Sequence, residues 1–356
     1  MRRAIRAMAL HGALTITSIM AVVATGTAAG AQTAQTPAWK VSRTEYGQPD
    51  LQGTWTNATI TPLERDPKFG DHLVLTREEA AAVEQGLAQF VADQDKPTDP
   101  KLGILDLPKE CGFGFSGVNC GYNAFWVDPG SKLITLNDEK RSSIIVDPAN
   151  GRVPPLTPAG QARLAGMYAA YVTADGPEQR PLGERCLMSF DSSAGPPMLP
   201  LLYNNLYQIV QTKDAVMIHI EMVHDTRIVR LDGVRRPAGM RTWLGESAGH
   251  WEGETLVIET TNIRKEQLFH GAGESLKVTE RLTRVGPHQI DYKFTIEDPT
   301  SYTRPWSGEL AFNATTDHLY EYACHEGNYA LPGILAGARE QEKTAAVTKK
   351  PAGAKN

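Results

Sequence analysis

The chain has 356 residues, 41% of them hydrophobic, and a formal charge of −5 with no long block of either sign. That length and apolar fraction suit a globular fold with a proper core, and an acidic chain without a basic stripe excludes nucleic acid as an expected partner.

Arg2, Arg3 and Arg6 precede an apolar stretch from about Met8 to Ala24, and Ala29-Gly30-Ala31 offers the small-x-small site of signal peptidase. Residues 1–31 therefore read as a signal peptide, and the protein is expected to be periplasmic or secreted. The residues after Arg2 and Arg3 do not extend a twin-arginine signal, so general secretion is the expected route. Removal of the three arginines takes the formal charge from −5 to −8. His11 and several Thr and Ser interrupt the apolar stretch, and no later segment approaches the roughly 20 apolar residues of a span. Four cysteines, Cys111, Cys120, Cys186 and Cys324, are an even set in an oxidising compartment. They predict two disulfides, Cys111 with Cys120 around a Gly-rich loop and Cys186 with Cys324.

Residues 32–49 read as a linker, and order is expected from Asp50. Gly53 and Trp55 then open a strand with the Gly-x-Trp pattern that resembles lipocalin-like barrels, where the Trp closes one end. Thr76 and Glu79 form a capping box for a helix that runs through Val83, Leu87 and Phe90 to Pro97. Short strands follow at Phe125 to Val127, Leu133 to Leu136 and Ser143 to Val146, separated by Asp-Pro turns. Thr157-Pro158 starts a second helix that ends near Thr173. Residues 50–180 thus supply strands, loops and two covering helices.

The richest pattern is a run of short, alternating strands: Leu206 to Gln211, Val216 to Met222, Arg227 to Leu231, Leu256 to Thr260, Leu276 to Val285, Gln289 to Ile296, Gly308 to Asn313 and Leu319 to Ala323. Charged residues stand at positions that alternate with the apolar ones. The expected fold is mainly β, an antiparallel lipocalin-like barrel over 181–343 with a polar-lined cavity, a few flanking helices, a last helix from Pro332 to about Lys343, and a disordered tail over 344–356.

The segments YNNLYQIVQT, EMVHDTRIVRLDG, GHWEGETLVIETTNI, TERLTR, IEDPTSYTRPW and YEYACHEGNY resemble a large family of exported, mostly uncharacterised bacterial proteins. The resemblance covers roughly Pro181 to Glu340 and implies the same β-rich, lipocalin-like fold. The family positions that map here are Glu221, Arg227, Trp251, Glu252, Thr261, Glu280, Arg281, Asp298, Trp306, Cys324, His325 and Glu326. It hands over no mechanism.

In a strand, residues two apart share a face, so His219 and Glu221 are expected side by side, with Arg227 on the returning strand close enough to pair with a carboxylate. Facing inward, they form a desolvated acid–base group. Facing outward, they are ordinary solvated side chains, and Arg227 makes a structural salt bridge. The spacing His219-x-Glu221-x-x-His224 also admits a metal set, provided the turn folds His224 back. Glu280 shares its face with Leu276, Val278 and Leu282, so it is the expected buried carboxylate, to be met by an Arg, a Tyr or a ligand. Tyr292 is expected inside as packing or as a hydroxyl donor.

Tyr203, Tyr207, Trp243, Trp251 and Trp306 are candidates to line a ligand entrance, with a Trp plug closing the barrel end as the structural alternative for Trp306. Trp251 to Glu254 reads as a hairpin turn. His325, beside Cys324 and next to Glu326, is a candidate second acid or base. The chain has no phosphate loop, and no cofactor is expected.

Three readings follow. The first is a cofactor-free lyase, isomerase or hydratase acting on a small aromatic, plant-derived type of compound, with Glu221 or His219 as base, Arg227 steadying an anion and His325 as acid; Tyr203, Trp243, Glu280, Tyr292 and Trp306 bind the substrate. The second is a non-catalytic carrier of a similar small aromatic or hydrophobic molecule. The third is a metal-dependent hydrolase using His219, Glu221 and His224.

Overall fold

In the computed structural model, residues 39–94, 101, 128–189, 195–234, 237, 239–267 and 269–348 are described. The strands are β1 (Gly53–Thr56), β2 (Thr135–Leu136), β3 (Glu139–Lys140), β4 (Ile145–Asp147), β5 (Leu206–Gln211), β6 (Ala215–Ile220), β7 (Thr226–Arg230), β8 (Glu246–Glu252), β9 (Thr255–Thr261), β10 (Lys277–Gly286), β11 (Gln289–Glu297) and β12 (Trp306–Ala314). The helices are α1 (Arg77–Gln94), α2 (Pro158–Ala170), α3 (Cys324–Gly327) and α4 (Ala330–Thr348).

One sheet runs β1-β5-β6-β7-β8-β9-β10-β11-β12, and β1 pairs again with β12, so nine strands close into a barrel and leave no open edge. β4 adds to the first residues of β12, while β1 takes its last ones. Strands from both sides of Pro181 therefore share one sheet. The barrel is mixed, which corrects the antiparallel expectation: β7 and β8 run parallel and pair only at Val229↔Ser247 and Arg230↔Ala248. A 15-residue connection from Leu231 to Gly245 returns the chain to the same end of the sheet, which makes this pairing parallel.

Three further expectations fail locally. Leu319 to Ala323 is not a strand; β1 closes the barrel instead, and the chain turns into α3 after Ala323. α4 continues past residue 344 to Thr348, so the helix takes in part of the expected tail. Trp39 to Pro49 is not an unstructured linker: Val41 is buried, and Arg43 bridges Pro49. The segment 1–31, the strand at Phe125 to Val127 and the Cys111–Cys120 pair lie outside the described residues.

Other local signals are realised as read. Thr76 Oγ1 accepts from Glu79 N at 3.1 Å, and Glu79 Oε2 accepts from Thr76 N at 2.8 Å, the reciprocal bonds of a capping box. Thr157 Oγ1 caps α2 by accepting from Gly160 N. The β8–β9 hairpin turns at Gly253 and Glu254, with Gly253 at φ 62° and Trp251 paired to Leu256. Cys186 and Cys324 are joined in a disulfide.

Strand alternation sends Tyr207, Ile218, Ile258, Val278, Tyr292, Phe294, Trp306 and Phe312 inward, all essentially without solvent exposure. Their rings meet edge to face through the barrel, Tyr207 with Phe312 at 5.0 Å, Tyr292 with Phe312 at 5.2 Å, and Phe294 with Trp306 at 5.8 Å. Such pairs add roughly 0.5–1.5 kcal/mol each beyond their burial. Gly308 makes room for this column, since a Cβ there would lie 2.3 Å from Phe294 Cζ. From the loop before β5, Met198 enters the interior fully buried, its N–H bonded to Tyr292 Oη and its C=O to Asn57 Nδ2. Side chains thus occupy the space in which the alternation predicted a polar-lined cavity, because the inward positions carry large rings as well as charges.

Candidate functional site

The inward charges of β7 and β10 find each other. Arg227 donates to both oxygens of Glu280, at 3.0 and 2.5 Å, and Tyr292 Oη donates to Glu280 Oε1 at 2.8 Å. Arg227 Nη2 also reaches Ser247 Oγ and Thr260 Oγ1, both at 3.3 Å. All three central side chains are at or below 2% exposed. Burial lowers the pKa of the Arg227 guanidinium, but the adjacent Glu280 carboxylate outweighs it and raises it. Burial first, and Glu280 second, push the Tyr292 phenol well above its ordinary range. The group is a buried ion pair with a phenol tip. Glu280 and Tyr292 are buried in the core, and Arg227 is paired with Glu280.

Arg227 nevertheless stands at the edge of an opening. Because β7 and β8 pair over only two residues, Thr226 to Ile228 diverge from Thr242 to Ser247, and a cleft of about 610 Å³ lies along the gap. Trp243 forms one wall, and Arg227 and Ser247 line it where it meets the interior. The Arg264 guanidinium lies 4.4 Å from the Trp243 ring centroid and holds that ring in place. Asp214, Asp232 and Glu246 contribute acid to the lining and Arg227 and Arg230 contribute base, with Arg227 paired to Glu280 and Arg230 tied to Asp232 at 2.6 Å. The cleft is therefore aromatic with an acidic balance.

The remaining predicted residues do not assemble. His219 is on the outer face of β6, with Nδ1 2.9 Å from Thr226 Oγ1. Glu221 does not share that face, since the strand ends at Ile220 and the backbone turns helical at Glu221; its carboxylate is buried and accepts from Tyr320 N at 3.0 Å. His224 lies 3.1 Å from Tyr322 O through Nδ1. The three groups of the metal alternative thus point to different partners, and among the described residues no cluster of three or more His, Cys, Asp or Glu is placed to hold a metal ion. His325 is exposed on α3. Tyr203 borders a separate pocket of about 450 Å³ beside Tyr322 and Cys324. Trp306 is fully buried against Phe269, Phe294 and Tyr302. The loop before it is held by Asp298, which accepts from Gly273 N, Thr300 N and the hydroxyls of Thr300 and Ser301.

Sequence reasoning missed Asp225. The turn from β6 to β7 has two consecutive residues at positive φ, Val223 at 58° and His224 at 45°, a costly conformation for a β-branched side chain. That turn pulls Asp225 inward, where Oδ2 is buried without a hydrogen-bond partner. Burial pushes its carboxyl up to about 6, against a smaller opposing effect of His224. The sequence signal was slight: an Asp after a His at a hairpin end is ordinary until the backbone is seen to bend.

No family model, curated protein or solved structure matches this chain. Among the described residues no helix is long and apolar enough to cross a membrane.

Proposed function

We propose that this protein is an exported, lipocalin-like carrier that takes a small aromatic molecule into the cleft beside Trp243. The observation that supports it is the placement of Trp243 at a cleft opened by the short β7–β8 pairing, while His219, Glu221 and Arg227 are each engaged elsewhere. A barrel that displays an aromatic wall without a free acid–base pair is suited to holding a ligand rather than turning it over. The acidic balance of the lining favours a neutral or cationic ligand over an anion. Export rests on the N-terminal sequence and agrees with the Cys186–Cys324 disulfide. Membership of the exported bacterial family stands on the sequence segments alone.

The test is fluorescence titration with 4-ethylphenol, tyramine and 4-hydroxyphenylacetate as neutral, cationic and anionic probes. Saturable quenching by the first two, lost in Trp243→Ala, is the expected result. Preference for the anion, or unchanged binding in Trp243→Ala, would overturn the assignment.

A second reading, cofactor-free acid–base chemistry, is favoured by Asp225 alone. A carboxyl with its pKa near 6 and one unpartnered oxygen on a strained turn has the properties of a general base. Its base would then be Asp225, in place of Glu221 or His219. Turnover of any probe that Asp225→Asn abolishes would move the protein from carrier to enzyme.

A further inference from the structure

On the far side of the Trp243 segment, the chain after β9 makes a tight turn in which Gln267 N donates to Arg264 O at 3.0 Å. The side chain of Gln267 is 3% exposed, and neither its Nε2 nor its Oε1 has a hydrogen-bond partner. A primary amide carries two donors and an acceptor with two lone pairs, so leaving both ends unpaired inside a protein is costly. Native interiors rarely leave such a group unexplained.

Gln267 lines a pocket of about 270 Å³ between the end of α2 and the loop that follows it. Its walls include Met167, Tyr171, Leu182 and Phe269. The two guanidiniums of the lining are engaged elsewhere, Arg180 with both oxygens of Glu184 and the carbonyls of Tyr171 and Thr173, and Arg185 with Glu178 O at 3.3 Å. A pocket walled by apolar and aromatic side chains, bordered by the charged Glu178, Arg180, Arg185 and Glu266 and holding one buried, unpaired amide, is the arrangement of a small-molecule site whose polar contact is supplied by the ligand.

We infer that this pocket is a second binding site, specific for a single-ring planar molecule carrying an adjacent donor and acceptor, such as a primary carboxamide or a lactam. The amide of Gln267 matches such an edge with two parallel hydrogen bonds, N–H to carbonyl in each direction, as side-chain amides do when they read a donor–acceptor edge. The volume is near the low end for ligand pockets, roughly 300 Å³ and upward, which limits the occupant to about one ring. Both amide atoms are shielded from solvent in the free protein, so binding requires the side chain to turn toward the ligand.

The inference is independent of the Trp243 cleft, and one set of titrations separates the two. Benzamide and 2-pyridone are the probes, with N,N-dimethylbenzamide, which has no N–H, as control, all followed by calorimetry on the full chain. Benzamide is expected to bind at least about tenfold more tightly than its dimethyl derivative. Gln267→Leu, close in volume and without polar atoms, is expected to lose that preference while unfolding at a temperature no lower than the parent, because it removes a group with no partner in the free protein. Ala170→Trp, which fills the pocket mouth from α2, is expected to block benzamide without touching the amide, and keeps the test valid should Gln267→Leu not fold. Trp243→Ala is expected to leave benzamide binding unchanged. Equal affinity for benzamide and its dimethyl derivative, retention of the preference in Gln267→Leu, or no saturation by either probe would overturn the inference.

Discussion

Arg227 and Glu280 meet at the centre of the barrel with two hydrogen bonds, 53 residues apart in sequence and both shielded from solvent. Two charges brought into a low-dielectric interior are tolerable only because each supplies what the other lost in water, and Tyr292, Ser247 and Thr260 satisfy part of the remainder. The pair joins β7 to β10 across the interior, between strands that are not neighbours in the sheet.

Removing one partner strands the other. Glu280→Leu alone is expected to destabilise the fold by roughly 3–5 kcal/mol, and Arg227→Met alone by a similar amount. The double variant is expected to recover most of that loss, because no charge is left buried. Chemical denaturation of the two single variants and the double variant measures the coupling; additive losses would show that the pair does not hold the strands together.

Asp225 gives stability an unusual dependence on pH. Its carboxyl is held at about 6 in the fold against 3.8 for the ordinary group, so the fold favours the protonated form. That contribution is full below about pH 3.8 and is lost as pH rises through about 6, up to roughly 3 kcal/mol for a shift of this size. Asp225→Asn is expected to be more stable than the parent at pH 8 and to differ little at pH 4. Thermal melts across that range check the sign; a variant less stable at pH 8 would mean that Asp225 is held charged by a favourable partner.

The disulfide closes a long loop, since Cys186 and Cys324 are 138 residues apart in sequence. Chain entropy assigns a loop of this length about 5 kcal/mol, and measured removals fall near 2–5 kcal/mol. Unfolding with and without reductant should therefore differ by several kcal/mol, with Cys186→Ser reproducing the reduced protein. Equal midpoints would show that α3 is held in place without the bond.

Trp243→Phe distinguishes an aromatic wall from a hydrogen-bonding one. If the cleft binds through the ring face, Phe should retain probe affinity within about tenfold while Ala loses it. Equal loss in both would assign the contact to the indole N–H.

Much of the fold was readable because local signals and the tertiary structure agree. The alternation in Leu276 to Val285 and Gln289 to Ile296 became β10 and β11, and Thr76 with Glu79 started α1 where the capping pattern placed it. Glu280 was legible as a buried carboxylate in need of an Arg or Tyr, since three apolar residues share its face. The candidate site was far less so. His219 and Glu221 satisfy a two-residue spacing, but that spacing places them together only while the strand continues, and it stops at Ile220.

What the sequence determined by itself is whatever depends on neighbours along the chain: strand periodicity, helix caps, the hairpin at Gly253 and the inward placement of Glu280 and Tyr292. What only the tertiary structure decided is the parallel β7–β8 contact, the cleft it opens beside Trp243, the burial of Asp225 and the unpaired amide of Gln267. Each of these depends on which distant segments come to lie side by side, and periodicity carries no record of that. Hydrogen-bond satisfaction and desolvation are properties of the assembled interior, so they arise only once the barrel has closed.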